Sequence, residues 1–462
     1  MFTKDVYQER RNKLKKFVGK GIILLLGNTE TPMNYPANTY HFRQDSTFLY
    51  FFGLDEPGLA AIIDIDNNLD TIFGNDIEID DIIWMGPQDS VKLKAGKAGV
   101  MHTEAYHKLF DFIDQARSVK AEVHYLPPYR AENKLLLERA LSIPVAHLKE
   151  EASIVLIKGV VALRSVKENV EIAEIEGFMV VAYEMHTTAM KMAKEGTPEQ
   201  RIAGCIEGIA MSNGGYVSFP VILSKHGETL HNHSHDNILK NGDLLLIDAG
   251  AESPSHYSTD HTRTIPVGGV FSRKQKEIYE IVLKANLRAI ELIRPGVTYK
   301  SIHMECSLVI AEGLKTLGLM KGDMKQAVDQ GAHALFFPHG LGHMMGLDVH
   351  DMEDLGENFV GYDDQIKRSD IFGTAYLRLG RTLQQGFVIT VEPGIYFVPA
   401  LIDLWKEEQR FSEYINYDKV EGYRNFGGIR IEDDVLVTAT ANRVLGRPIP
   451  KTVDEIETFM KE

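Results

Sequence analysis

The run DLLLIDAGAESPSHYSTDHTRTIPV, residues 243–267, poses the question on which the whole chain turns. Four consecutive aliphatics carry Asp248 at their end, and Asp260 stands twelve residues later, just ahead of a second apolar run. Two buried strands joined by a turn account for this pattern. Burying a carboxylate at such a strand end costs several kcal/mol unless something pairs with it.

The same texture recurs downstream. FFPHGLGHMMGLDVHD (336–351) holds His339, His343 and His350, with glycines around the first two. FVITVEPGIYF (387–397) ends an aliphatic strand at Glu392. GGIRIEDDVLVT (427–438) alternates with period two, which predicts one strand with Arg430 and Glu432 on one face and Ile429 and Ile431 on the other. Singly, a strand-end Asp reads as a turn former or cap, and a histidine as an ordinary hydrogen-bonded residue. Together they are four carboxylates and one imidazole, an oxygen-rich ligand set for one or two divalent ions. Mn²⁺ or a similar metal suits such a set better than structural zinc, because no cysteine stands near it.

Composition bounds the rest. The chain has 462 residues, 50 Lys+Arg against 65 Asp+Glu and a formal net charge of −15. With 44% hydrophobic and 25% charged residues it is an ordinary globular chain, long enough for two domains. The acidic excess argues against a nucleic-acid surface or an anionic-membrane binder. Cys205 and Cys306 are too few for a disulfide framework and read as small buried hydrophobes. The first apolar run, residues 21–26, is too short for a signal or membrane segment, so a cytoplasmic location is expected.

Along the chain, residues 4–18 and 105–119 read as helices, and IILLLG (22–27), LAAIIDID (59–66), DDIIWMG (80–86) and EVHYLP (122–127) as strands. A long helical pattern from residue 162 then runs to Gly196. These textures predict a mixed α/β domain over 1–158 and a second domain over 159–462. Within the second, AMKMAKEGTPEQRIAG (189–204) and AIELIRPGVTYKSIHM (289–304) both read helix, break, helix, with Gly196 and Gly296 in register. Two similar halves with a site between them follow.

The ordered series Asp248, Asp260, His343, Glu392, Glu432 resembles the pita-bread metallopeptidases, a family that includes methionine aminopeptidase, aminopeptidase P and prolidase. HGLGH, VEPG and GIRIED carry the likeness, which covers most of residues 160–440. The resemblance implies an α+β pita-bread domain of two pseudo-symmetric halves and two bound divalent metals, Mn²⁺ first, with Co²⁺ or Zn²⁺ as alternatives. In it, Asp260 and Glu432 bridge both ions, Asp248 chelates one, and His343 with Glu392 completes the other. Glu392 takes the proton in catalysis, His350 stabilises the oxyanion, and His339 and His231 line the substrate site. Arg430 orients the ligands beside Glu432. One departure stands out: the stretch between Asp248 and Asp260 is a residue longer than the family pattern. His231 opens HNHSH (231–235), which also reads as a loop with incidental metal affinity.

YHFRQDSTFLYFFGLDEPGLAAIID (40–64) is similar to the N-terminal domain of aminopeptidase P and prolidase, which implies a substrate with proline at the second position. AYLRLGRTLQQGFVITVE (375–392) resembles the prolidase segment whose arginine holds the substrate carboxylate, and Arg378 takes that place. LIDLWKEEQRFSEYINYDKVEGYRNFGGIRIED (401–433) also resembles prolidase, so a dipeptidase is favoured and an aminopeptidase is the alternative. The resemblance further implies a homodimer. A pita-bread module that binds without cleaving, or a metal-free hydrolase of the creatinase type, would have lost ligands that this chain keeps.

Overall fold

A computed structural model describes residues 1–461. The chain divides into two compact units, Met1–Arg164 with Met352–Phe359, and Ser165–Asp351 with Val360–Glu462.

The first unit is built on a mixed sheet in the order His102–Glu104, Leu69–Phe73, Ala60–Asp64, Ile22–Leu26, Val123–His124, with the outer two strands parallel to their neighbours. Residues 22–25 are buried, which is why they read as a continuous aliphatic run. The basic helix Lys4–Val18 hides two of its charges. Arg10 lies over the Tyr50 ring at 3.9 Å, and Arg11 donates to the Phe51 and Ala98 carbonyls and to Asp70. Arg11 is thereby held on three sides inside the core, and Arg10 Nη1 donates to the Tyr50 carbonyl. The expected helix at 105–119 forms as Lys108–Ser118, and the expected strand at 122–127 shortens to Val123–His124.

One expectation is overturned. DDIIWMG is a helix, Ile79–Met85, and its Ile79, Ile83 and Trp84 are exposed. Local chemistry outweighs the apolar run: Asp81 accepts from the Glu78 N–H, two acids sit in the first turn, and Gly86 terminates the helix with a positive φ.

In the second unit the long helical pattern is interrupted. One helix, Ile154–Ser165, ends the first unit, and a second, Asn169–Met192, starts after a break at 166–168. At the break Lys167 N–H donates to Gly386 O and Glu168 N–H to the Glu171 carboxylate. The second helix stops at Met192, short of Gly196.

The two halves repeat in detail. Asn169–Met192 and Glu199–Ser212 correspond to Arg273–Leu292 and Tyr299–Thr316. Each break is pinned the same way: Gly196 to Leu239 and back through Thr197, Gly296 to Leu383 and back through Val297. Each half then presents a fully buried strand, Leu244–Ala249 or Val388–Val391. The first pairs antiparallel with His261–Pro266 and the second with Asp433–Val437. The predicted single strand at 427–438 is in fact two, Gly428–Arg430 against Gly394–Tyr396 and Asp433–Val437 against Val388–Val391. The chain changes partner at Ile431 and Glu432, which puts the Glu432 carboxylate between two sheets.

Three histidines in this unit are wholly buried, His186, His303 and His333. Burial pulls His303 down to about 3 from an ordinary value of 6.5, chiefly by desolvation and then by the neighbouring His333. The unfolded chain takes up that proton first. The neutral ring's stabilisation is therefore complete above pH 6.5 and is lost as pH falls through the window between 6.5 and about 3. His303→Leu should accordingly gain stability relative to the parent by roughly 1.4 kcal/mol per pH unit below pH 6. Chemical denaturation of the metal-free protein at pH 7, 6 and 5 measures it, and a pH-independent difference would contradict the buried neutral ring.

Candidate metal centre and substrate cavity

Asp248 lies in the strand Leu244–Ala249 opposite Thr262, and Asp260 immediately precedes the partner strand His261–Pro266. Between them the chain closes as a hairpin, with Glu252 bridged to Ser258 and its tip at 253–256. His256 there takes a left-handed φ of 68° and pairs with Glu252. The slack of this long connection sits at the tip, away from both acids. A side chain at Gly250 would strike Thr259 O, its Cβ only 1.8 Å away, so the two strands meet at van der Waals limit between the acids.

The glycines of HGLGH have a similar cause. Cβ atoms at Gly340 and Gly342 would lie 2.7 Å from Leu377 Cα and 2.2 Å from Thr390 O. Their absence lets His343 dock on the strand Val388–Val391, donating its N–H to Thr390 Oγ1 and accepting Thr390 N–H. His343 Nδ1 sits 3.0 Å from Met344 O. A carbonyl only accepts, so Nδ1 carries the proton and Nε2 keeps its lone pair. That Nε2 faces Asp260 at 3.5 Å and Glu392 at 3.6 Å.

Glu432 is held at both ends: its N–H donates to Thr262 O and its Oε2 accepts from Thr262 Oγ1 at 2.7 Å. Ligand atoms of Asp260, His343 and Glu432 all lie within 4.8 Å of one another. Burial first, and then the neighbouring carboxylates, push Asp260 and Glu432 well above the usual carboxylate range. Burial also raises Glu392. Oδ1 of both Asp248 and Asp260 is buried with no hydrogen-bond donor among the described residues. Orphaned carboxylate oxygens around one imidazole lone pair fit divalent cations, with the charge and the donors that such ions require.

Arg430 is spent on orientation. Its Nη2 donates to Asp248 Oδ2 at 2.6 Å, its Nε to Thr262 Oγ1 and its Nη1 to the Tyr396 hydroxyl. Beneath it Arg263 gathers the carbonyls of Thr262 and Glu432 and the Asp433 carboxylate. Asp434 accepts the Asp260 N–H. Thr262, Arg263, Tyr396 and Asp434 were not singled out from the sequence. Alternation in HTRT and the second aspartate of IEDD were the available signals, but which strand faces which is a tertiary fact.

All ten residues singled out from the sequence line one cavity of about 630 Å³. Phe219, Leu230, Val349, Phe372 and Tyr376 supply its apolar wall. His350 stands edge-on to His343, with ring centroids 4.3 Å apart. His231 lines the wall with His233, its neighbour in the HNHSH tract. Desolvation, then Arg430, lowers the His231 pKa. His339 has both nitrogens engaged, Nδ1 with Gly340 O and Nε2 with the Tyr396 hydroxyl, each at 2.8 Å. Burial and then Arg430 drop it to about 3, so the ring is neutral and Nε2 accepts. Tyr396, raised to about 12 by burial, keeps its proton for that bond. Arg378 reaches the cavity from the segment after Thr374–Tyr376.

Comparison with known proteins gives the family and the fold. Residues 174–439 match the model of metallopeptidase family M24, and residues 7–124 match the aminopeptidase P N-terminal domain. The human Xaa-Pro dipeptidase is 30% identical over 98% of this chain and 91% of its own length. A probable Xaa-Pro aminopeptidase of Emericella nidulans is 31% identical over 90% of this chain and 88% of its own. An Escherichia coli aminopeptidase P variant in complex with substrate superposes with a TM-score of 0.83 at 29% identity, over 100% of this chain and 99% of that one. A zinc-substituted form of that enzyme with product gives 0.82 at 28% identity, with the same coverage. Family models, relatives and folds therefore converge on the pita-bread architecture, and the chain is a member of metallopeptidase family M24, among its Xaa-Pro peptidases.

Proposed function

We propose that the protein is a dinuclear-metal dipeptidase that hydrolyses the Xaa-Pro bond and releases proline. The observation that carries this reading is Arg378: it lines the cavity that holds Asp248, Asp260, His343, Glu392 and Glu432, and its charge acts on His231, His339 and Glu392 there. A planar fork there suits the free carboxylate of a C-terminal proline. Relatives named as aminopeptidases, and a cavity of about 630 Å³, favour a second reading in which longer Xaa-Pro peptides enter.

In the proposed mechanism the five ligand side chains would hold two divalent ions, Mn²⁺ by preference, which would supply Lewis acidity and an activated water. Glu392 accepts the proton of the attacking water and passes it to the proline nitrogen, which as an imide nitrogen has no hydrogen of its own. His350 donates a hydrogen bond to the carbonyl oxygen as negative charge develops there. Neutral His339, fixed by Tyr396, and His231 shape the wall against which the substrate rests. Arg378 binds the carboxylate, and Arg430 fixes the Asp248 carboxylate through its Oδ2.

Turnover of a Xaa-Pro dipeptide should exceed that of the matching Xaa-Pro-Yaa tripeptide, and the reverse order would give the assignment to the aminopeptidases. Arg378→Ala should reduce kcat/KM on the dipeptide by roughly 100-fold, the cost of a lost charged hydrogen bond, while sparing the amidated dipeptide. Equal losses on both would remove Arg378 from carboxylate recognition. Chelation should abolish activity and Mn²⁺ restore it, and Asp248→Asn should be inactive even with added metal. Full turnover after thorough metal depletion would sink the dinuclear mechanism and revive a metal-free one. Thr262→Val preserves shape but removes the hydroxyl shared by Glu432 and Arg430, so Mn²⁺ affinity measured by calorimetry should fall about 10-fold.

A further inference from the structure

We propose that a buried ion pair outside the cavity, Lys167 with Asp351, is a positioning device for His343 and His350, acting through the loop 344–351. Lys167 Nζ lies 2.7 Å from Asp351 Oδ2, and each side chain is only 1% exposed. Neither residue lines the cavity. A buried pair of this kind is seldom worth more to stability than a well-packed apolar pair, so its place here calls for a reason other than stability.

The hydrogen bonds around the pair supply one. Lys167 N–H is fixed to Gly386 O at 2.8 Å, two residues before the strand Val388–Val391, so Nζ reaches Asp351 from an anchored backbone. Asp351 N–H donates to Met344 O at 2.9 Å. The same carbonyl accepts from His343 Nδ1 at 3.0 Å. One oxygen thus ties the end of the loop to the tautomer of a histidine whose Nε2 faces Asp260 and Glu392. Holding Asp351 holds Met344 O, and Met344 O selects the Nδ1–H form.

Packing is equally tight. A Cβ on Gly346 would come within 2.7 Å of Lys167 Cε and 2.8 Å of Asp351 Oδ2, so the loop lies directly on the pair. Ser258 N–H grips Gly346 O at 2.8 Å from the other side. His350 is the residue before Asp351, and its ring meets that of His343 at 4.3 Å. The pair therefore sets one histidine by its hydrogen bond and the other by its chain position.

The kinetic part of this proposal rests on the Xaa-Pro peptidase reading; the tautomer part does not. In the metal-free protein, ¹⁵N NMR should place the His343 proton on Nδ1, and an Nε2–H form in the parent protein would overturn the proposal. Lys167→Met/Asp351→Leu replaces the pair with apolar groups of similar volume, a change that buried pairs commonly tolerate. This variant should fold with a Tm close to the parent, show a mixture of His343 tautomers, and bind Mn²⁺ about 10-fold more weakly. On a Xaa-Pro dipeptide its kcat should fall roughly 10–100-fold with KM changed less than about twofold. The near-isosteric Asp351→Asn, which weakens the pair without emptying the site, should move the same readouts in the same direction. A folded variant with the parent's tautomer, Mn²⁺ affinity and kcat would make the pair merely structural and refute the proposal. If the parent turned over no Xaa-Pro peptide, the functional reading would fail, and the tautomer and Mn²⁺ readouts would still decide this one.

Discussion

Four carboxylates buried in one cavity are the constraint that organises the catalytic unit. Like charges a few ångströms apart in a water-poor site repel by several kcal/mol, and desolvation adds to that cost. Among them stand the Arg430 guanidinium, bonded to Asp248, and the His343 imidazole, which keeps its lone pair, with Arg378 also lining the cavity. Burial first, and then the neighbouring carboxylates, raise the pKa values of Asp260, Glu392 and Glu432, a cost that divalent cations would relieve. Everything beneath the acids serves to keep them from turning away. Arg263 collects backbone oxygens on both sides of Glu432, Thr262 holds its carboxylate, and Asp434 takes the Asp260 N–H.

The pseudo-symmetric halves explain where that cluster can exist. Each half contributes a buried strand whose polar end faces the other: Asp248 and Asp260 from one, Glu392 and Glu432 from the other. His343 arrives by a glycine-lined turn pressed onto Thr390. A strand end is the one place where a rigid, hydrogen-bonded backbone and a polar side chain meet without interrupting the apolar core. The apolar wall of the cavity, by contrast, comes from residues outside the sheet strands: Phe219, Leu230, Val349, Phe372 and Tyr376.

Much of this was legible from residue order. Acids at the ends of aliphatic runs are conspicuous because a carboxylate does not belong there without a partner. The N-terminal expectations held for the helix at 4–18 and the strands within 22–27 and 59–66. DDIIWMG failed because apolar runs of that length fit strand and helix alike, and its capping residues decided for helix. The single strand expected at 427–438 failed because periodicity is blind to partner exchange: both halves of the run are extended, yet they belong to different sheets.

Residue order by itself determined most of the elements and the family, and it pointed to a candidate ligand set, since these depend on local chemistry and short spacings. Only the tertiary structure decided that ten residues spread over two hundred positions line one cavity. It alone showed that Tyr396 joins Arg430 to His339, and that one hydroxyl on Thr262 serves two neighbours. Those facts depend on which strands lie side by side. Register between distant strands is fixed by long-range packing and hydrogen bonding, and no local run of residues encodes it.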